Sequence, residues 1–211
     1  MLKNDFLEKT HELLMPNFED LGFSSNKYKD IYSKKEEDFK FNFEINITPK
    51  EIQHLTLSVE NKKIGNIFKK VEQEIANEQK KTIFKGVRPI CTLTDWKKLY
   101  KNENLDLGSI WFMKFSNLNE IEEHKNEYLL AVELAVKWFC KCKDLNFVYD
   151  YNFNKCFTVP IEMALCIGKY LNKNIKRDFD DFAKKNEKYL SWNKNEVEFF
   201  LKHLDSYDAS L

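Results

Sequence analysis

Glycine is scarce in this 211-residue chain: there are five, at positions 22, 65, 86, 108 and 168, and no two are close together. Loops that cradle phosphate need clustered glycines, because the backbone must turn sharply and approach the anion closely. Neither a Walker loop nor a Gly-x-Gly-x-x-Gly turn is present, which argues against nucleotide-driven chemistry. Arginine is scarcer still. Arg88 and Arg177 are the only two among 34 basic residues. Bidentate reading of guanine or phosphate relies on arginine, so no specific nucleic-acid partner is expected. The 34 basic and 34 acidic residues cancel, leaving no long-range field toward nucleic acid or an anionic membrane. No run approaches the ~20 apolar residues that a membrane helix requires. The opening Met1-Leu2-Lys3-Asn4-Asp5 has no apolar core of a secretory leader. Five cysteines, an odd number, read as reduced thiols, and the expected location is the cytoplasm.

What the chain has in quantity is aromatic side chains, with 18 Phe, 9 Tyr and 4 Trp. At this length about 70% of the unfolded surface can be buried, enough for a core without staples. The pattern is clearest between Phe39 and Val59. Phe39, Phe41, Phe43, Ile45 and Ile47 alternate with Lys40, Asn42, Glu44 and Asn46. After Thr48 and Pro49 the alternation resumes, Leu55, Leu57 and Val59 against His54, Thr56, Ser58 and Glu60. Successive strand side chains point to opposite faces, so this predicts an antiparallel hairpin with one apolar and one polar face.

Around it the chain reads as mostly helical. A helix is expected from Asn4 to Leu21, with Phe6, Leu7, Leu14, Phe18 and Leu21 along one side, kinked or split at Pro16 and capped by Gly22. Tyr28 to Lys34 reads as a first strand, and Lys35 to Asp38 as a charged turn. Lys63 to Lys80 reads as a second helix, and Asp95 to Tyr100 as a short one. Ser109 to Phe115 is bulky and apolar enough for another strand. Asn117 followed by Glu120 reads as a capping box before one long helix to Lys143. Leu145 to Thr158 is an aromatic connector with room for a strand. Pro160 opens an apolar helix to Leu171, and two amphipathic helices follow, marked by Ile175, Phe179, Phe182 and Ala183 and then by Val197, Phe200, Leu201 and Leu204. The expected fold is therefore α+β: an antiparallel sheet of about four strands with helices on one face, followed by a helical C-terminal half. It reads as a single domain over residues 1–211, with a weak sub-boundary near residue 157 ahead of helices over 160–207.

Leu14-Met15-Pro16-Asn17-Phe18 leads to Leu21-Gly22-Phe23 and then to an aromatic hairpin. This opening resembles the bacterial family known as domain of unknown function 4304. In that family a helix ends in a Gly-Phe step before a strand with an aromatic residue, here Tyr32. A later strand with tryptophan leads through a polar turn to a long helix, as Trp111 to Glu123 does here. The resemblance covers about the first 145 residues, with short motifs. It implies an α+β fold and no defined reaction. Because some small bacterial domains of this kind act as immunity proteins against toxins, it also implies a protein partner.

The candidate chemistry is thin. His11-Glu12-Leu13-Leu14-Met15 begins like the zinc-protease motif His-Glu-x-x-His, but Met15 stands where the second ligand belongs. Cys140 and Cys142 with Cys156 and Cys166 could in number supply four thiolates. Residues two apart on a helix, however, point roughly 160° away from each other, so the cysteines read as core side chains. No metal or other cofactor is expected. Glu120, Glu122 and Glu123, like Asp178, Asp180 and Asp181, fall in the first turns of helices, where carboxylates favour the positive dipole end without forming an active site. The lysine pairs Lys62-Lys63, Lys69-Lys70 and Lys80-Lys81 read as solvated flanks. No catalytic residue is identified.

What remains is the polar hairpin face, Lys40, Asn42, Glu44, Asn46, His54, Thr56 and Ser58, whose mixed charge suits a protein partner better than an apolar ligand. The leading expectation is a cytoplasmic bacterial protein-binding module of the immunity-inhibitor type. The alternatives are a small metal-independent hydrolase or transferase and a structural subunit of a larger assembly. Nothing in the sequence sets the oligomeric state.

Overall fold

In a computed structural model of the chain, residues 3–48, 50, 52–80, 88–93, 112–114, 117–154, 159–187 and 194–207 are described. Trp111, Cys156, the short helix expected at Asp95 to Tyr100, and Gly86 and Gly108 lie outside them. The elements are α1 (Lys3–Asp20), β1 (Ser24–Ser25), β2 (Ile31–Glu36), β3 (Phe39–Ile47), β4 (Ile52–Asn61), α2 (Lys62–Gln79), β5 (Cys91–Leu93), β6 (Phe112–Lys114), α3 (Asn119–Glu123), α4 (Lys125–Cys142), α5 (Leu145–Asn154), α6 (Ile161–Tyr170), α7 (Ile175–Lys185) and α8 (Lys194–Ser206). The fold is α+β, an antiparallel sheet with a helical C-terminal half. Contacts group the chain into two compact units, Met1–Val59 with Thr92–Lys143, and Glu60–Cys91 with Asp144–Leu211.

The first unit is built on the sheet, whose strands run β1-β2-β3-β4-β5, with β6 also pairing β4. The period-two alternation places Phe41, Phe43 and Ile45 of β3 and Leu55, Leu57 and Val59 of β4 in the core, none more than 2% exposed. On β2, Tyr32 stands opposite Phe43 and is fully buried. Phe18 of α1 covers this row, its ring 4.4 Å from Tyr32 and 5.1 Å from Phe43. Phe139 of α4 packs on Phe41 at 5.2 Å and on Phe23 at 5.9 Å. Aromatic pairs at these spacings add to the area they bury.

Several local expectations need correction. Pro16 sits inside α1 without splitting it. Pro16 and Glu12 are both exposed, so the Glu12 carbonyl that loses its helical donor faces water. Leu21, expected on the buried side, is 36% exposed because the helix ends at Asp20. Gly22 caps that end at φ +79°, with its N–H donating to the Glu19 carbonyl and Phe23 N–H to that of Phe18. The strand expected from Tyr28 is β2 and begins at Ile31, after the short β1, and Tyr28 lies in the preceding turn, 65% exposed. The expected long helix from Asn117 is broken at His124 (φ −100°, ψ 20°) into α3 and α4. The N-cap position of α3 is held by Leu118 without a side-chain bond; Asn117 stands one residue before it, Oδ1 accepting from Asn119 N–H at 2.9 Å and Nδ2 donating to Glu120 at 3.2 Å.

The second unit is a set of helices around α6. That helix buries Ile161, Met163, Ala164, Leu165, Cys166, Ile167 and Gly168, nearly its whole circumference, as a central helix must. It packs against α2, α5, α7 and α8. The connector given room for a strand is, over its described residues Leu145–Asn154, the helix α5. Asp144 opens it by accepting from the Asn146 N–H at 2.9 Å. Asn61 caps α2 in the same way, accepting from the N–H groups of Lys63 and Ile64.

Candidate functional site

The polar face of the sheet is assembled by backbone register. Ser33 of β2 stands opposite Asn42 of β3, and Lys35 opposite Lys40. The side chains join across three strands. Ser33 Oγ donates to Asn42 Oδ1 at 2.8 Å, Asn42 Nδ2 donates to Ser58 Oγ at 3.2 Å, and Ser58 Oγ donates to Glu44 Oε1 at 3.0 Å. Toward the β3–β4 turn, Asn46 Nδ2 donates to Thr56 Oγ1 at 3.4 Å. Thr48 closes that turn, accepting on its hydroxyl from Ile52 N–H at 3.2 Å.

This geometry divides the seven residues singled out from sequence. Asn42 and Ser58 are buried, at 4% and 6% exposure, so they form the interior of the network and present nothing outward. Lys40, Glu44, His54 and Thr56 are half-buried and Asn46 is exposed. The structure brings Asn42, Glu44 and Ser58 into one network and pairs Asn46 with Thr56. His54 lies at the other edge of β4, in register with Phe112 of β6. At the β2–β3 turn end Lys35 and Lys40 stand beside Glu36, Glu37 and Asp38, so both charge signs are present there, while Glu44 carries negative charge mid-strand. Buried amide and hydroxyl groups satisfied in this way rigidify the surface they support. Sequence reasoning missed Ser33, whose signal was its place opposite Asn42, legible only once register is known.

The other candidates resolve into structural roles. His11 of the truncated zinc motif lies beside Tyr32, Nδ1 3.4 Å from the phenol oxygen. Burial, helped by Lys29, lowers its pKa, so it favours the neutral form. Among the described residues, no three His, Cys, Asp or Glu side chains are grouped to hold a metal ion. Cys91, Cys142 and Cys166 are buried free thiols, but Cys140 is exposed, contrary to a core role, because it occupies the solvent side of α4. Asp178 is more than a dipole partner. It accepts from Tyr149 Oη at 2.7 Å and from Arg177 at 3.0 Å. Glu122 and Glu120 do lie in the first turn of α3. No helix among the described residues is long and apolar enough to cross a membrane. No family model matches the chain, and no curated protein or solved structure shows significant similarity to it.

Proposed function

We propose that this chain is a protein-binding module of a bacterial cytoplasm, acting as an immunity-type inhibitor, as the resemblance of its first 145 residues to the domain of unknown function 4304 family implies. The observation that carries the reading is the hydrogen-bonded row Ser33–Asn42–Ser58–Glu44, which shares the polar face of the sheet with Lys40, Asn46, His54 and Thr56. A docking surface gains affinity when its side chains are held before the partner arrives, because less entropy is lost on binding. Both charge signs and amide groups sit on this surface, which matches a polar protein rim. An inhibitor acts by occlusion and needs no bond-making group.

The test is purification of the full chain from its native cytoplasm, with its bound material identified. A stoichiometric protein partner is expected. A co-purifying metabolite in its place would favour the hydrolase or transferase alternative, and a large fixed assembly would favour a structural subunit.

A further inference from the structure

We infer that the tip of the β1–β2 hairpin, Lys27 with Tyr28, anchors the docking surface and seats in an apolar slot of the protein partner whose rim carries carboxylates. The inference rests on the protein-binding reading above and adds the residue on which affinity turns and the chemistry of the complementary site. Tyr28 is 65% exposed, while the other exposed large apolar residues among those described, Leu21 and Tyr170, reach 36% each. A single apolar residue on a surface is ordinary, and on a loose loop it would carry nothing. This loop is braced. Asn26 N–H donates to the Ile31 carbonyl at 2.9 Å, and Lys29 N–H donates to the Asn26 carbonyl at 3.1 Å. The Asn26 side chain binds the loop a second time. Its Oδ1 accepts from the N–H groups of Asp30 and Ile31 at 3.3 and 3.4 Å, and its Nδ2 donates to Asp30 Oδ1 at 2.8 Å. Lys29 holds the left-handed conformation at φ 59°, and its ammonium donates to Glu8 of α1. None of these bonds uses the side chain of Lys27 or Tyr28, so forming the turn does not account for an aromatic residue at its tip.

What the tip presents is one ring and one cation. Lys29 is paired with Glu8, and Asp30 is half-buried and bonded to Asn26, whereas Lys27 is exposed with its ammonium 4.9 Å from the centroid of the Tyr28 ring. A tyrosine has few torsions to freeze, and a braced loop loses little backbone freedom, so burying this ring on binding carries a small entropic penalty. A large aromatic group that fills a partner's pocket is the form that hot spots most often take. The ammonium beside the ring is desolvated in the same step and needs an opposite charge across the interface, which sets the acidic rim. The tip is also continuous with the polar face. The Asp30 carbonyl accepts from Ile45 N–H at 2.8 Å, and Ile31, directly after the loop, stands opposite Glu44.

The test is the affinity of the co-purified partner for the full chain and for its Tyr28→Ala and Lys27→Glu variants. Both side chains are exposed and outside the hydrogen bonds of the turn, so both variants should keep the thermal midpoint of the unmodified chain. Tyr28→Ala should weaken binding by at least about thirtyfold, the loss that marks a hot spot. Lys27→Glu should weaken it by about tenfold, with the loss shrinking at high salt as the repulsion between carboxylates is screened. A partner that binds Tyr28→Ala as tightly as the unmodified chain would overturn the anchor and leave the protein-binding reading standing. Unchanged affinity for Lys27→Glu would overturn the acidic rim. The absence of any stoichiometric partner would overturn that reading and the anchor together.

Discussion

Thr10 is fully buried on α1, and its hydroxyl has no hydrogen-bond partner among the described residues. An unmet buried hydroxyl costs free energy that an apolar isostere does not. Thr10→Val should therefore stabilise the chain by about 1 kcal/mol in urea unfolding. Phe43 is the opposite case. Its ring is fully buried against Phe18 and Tyr32, so Phe43→Ala should cost about 3–5 kcal/mol through lost burial and a residual cavity. The fate of Phe41, Phe43 and Leu57 was legible in the sequence because a two-residue period assigns a face without reference to anything distant. The fate of Asn42 and Ser58 was not. They share their period with Lys40 and Glu44, and only the cross-strand hydrogen bonds separate buried network members from outward groups.

At the scale of the element, two helical glycines should respond oppositely to one substitution. Among the described residues nothing lies within 4 Å of a Cβ added at Gly65 of α2, so Gly65→Ala should stabilise by about 0.5–1 kcal/mol through backbone entropy. A Cβ at Gly168 of α6 would meet Ile175 Cγ2 at 2.5 Å and Tyr149 Cε2 at 2.6 Å. Those atoms belong to packed side chains, so Gly168→Ala should destabilise by about 1–3 kcal/mol. Thermal unfolding of the two variants side by side checks both signs. The same contact explains why α5 was not read as a helix. Leu145 to Asn154 is rich in aromatic residues that favour strands, but that preference is weak and gives way to packing. Tyr149 closes on Gly168 and bonds Asp178, contacts that no local pattern announces. The one local signal was Asp144 in capping position. Pro16 did not split α1: the carbonyl it leaves without a helical donor, that of Glu12, lies at an exposed residue and can be met by solvent.

At the scale of the whole molecule, the fold class could be read from the order of patterns, an alternating hairpin first and helical stripes after it. The division into two units could not, because each unit is assembled from separated segments: residues 60–91 join 144–211, while 92–143 return to the sheet. Such grouping is set by long-range contacts. The candidate site was legible to the same limited degree. Its strand and its alternation were visible, while its narrowing to Lys40, Glu44, Asn46, His54 and Thr56 came from burial and register. The central claim is that this surface docks a protein. Glu44 accepts from Ser58, so charge reversal there would disturb the network, and Glu44→Gln retains the acceptor. The most direct measurement is the affinity of the co-purified partner for the Lys40→Glu, Glu44→Gln double variant, with folding verified by circular dichroism. A loss of at least about tenfold, or 1.4 kcal/mol, is predicted. Unchanged affinity in the folded variant would contradict the account.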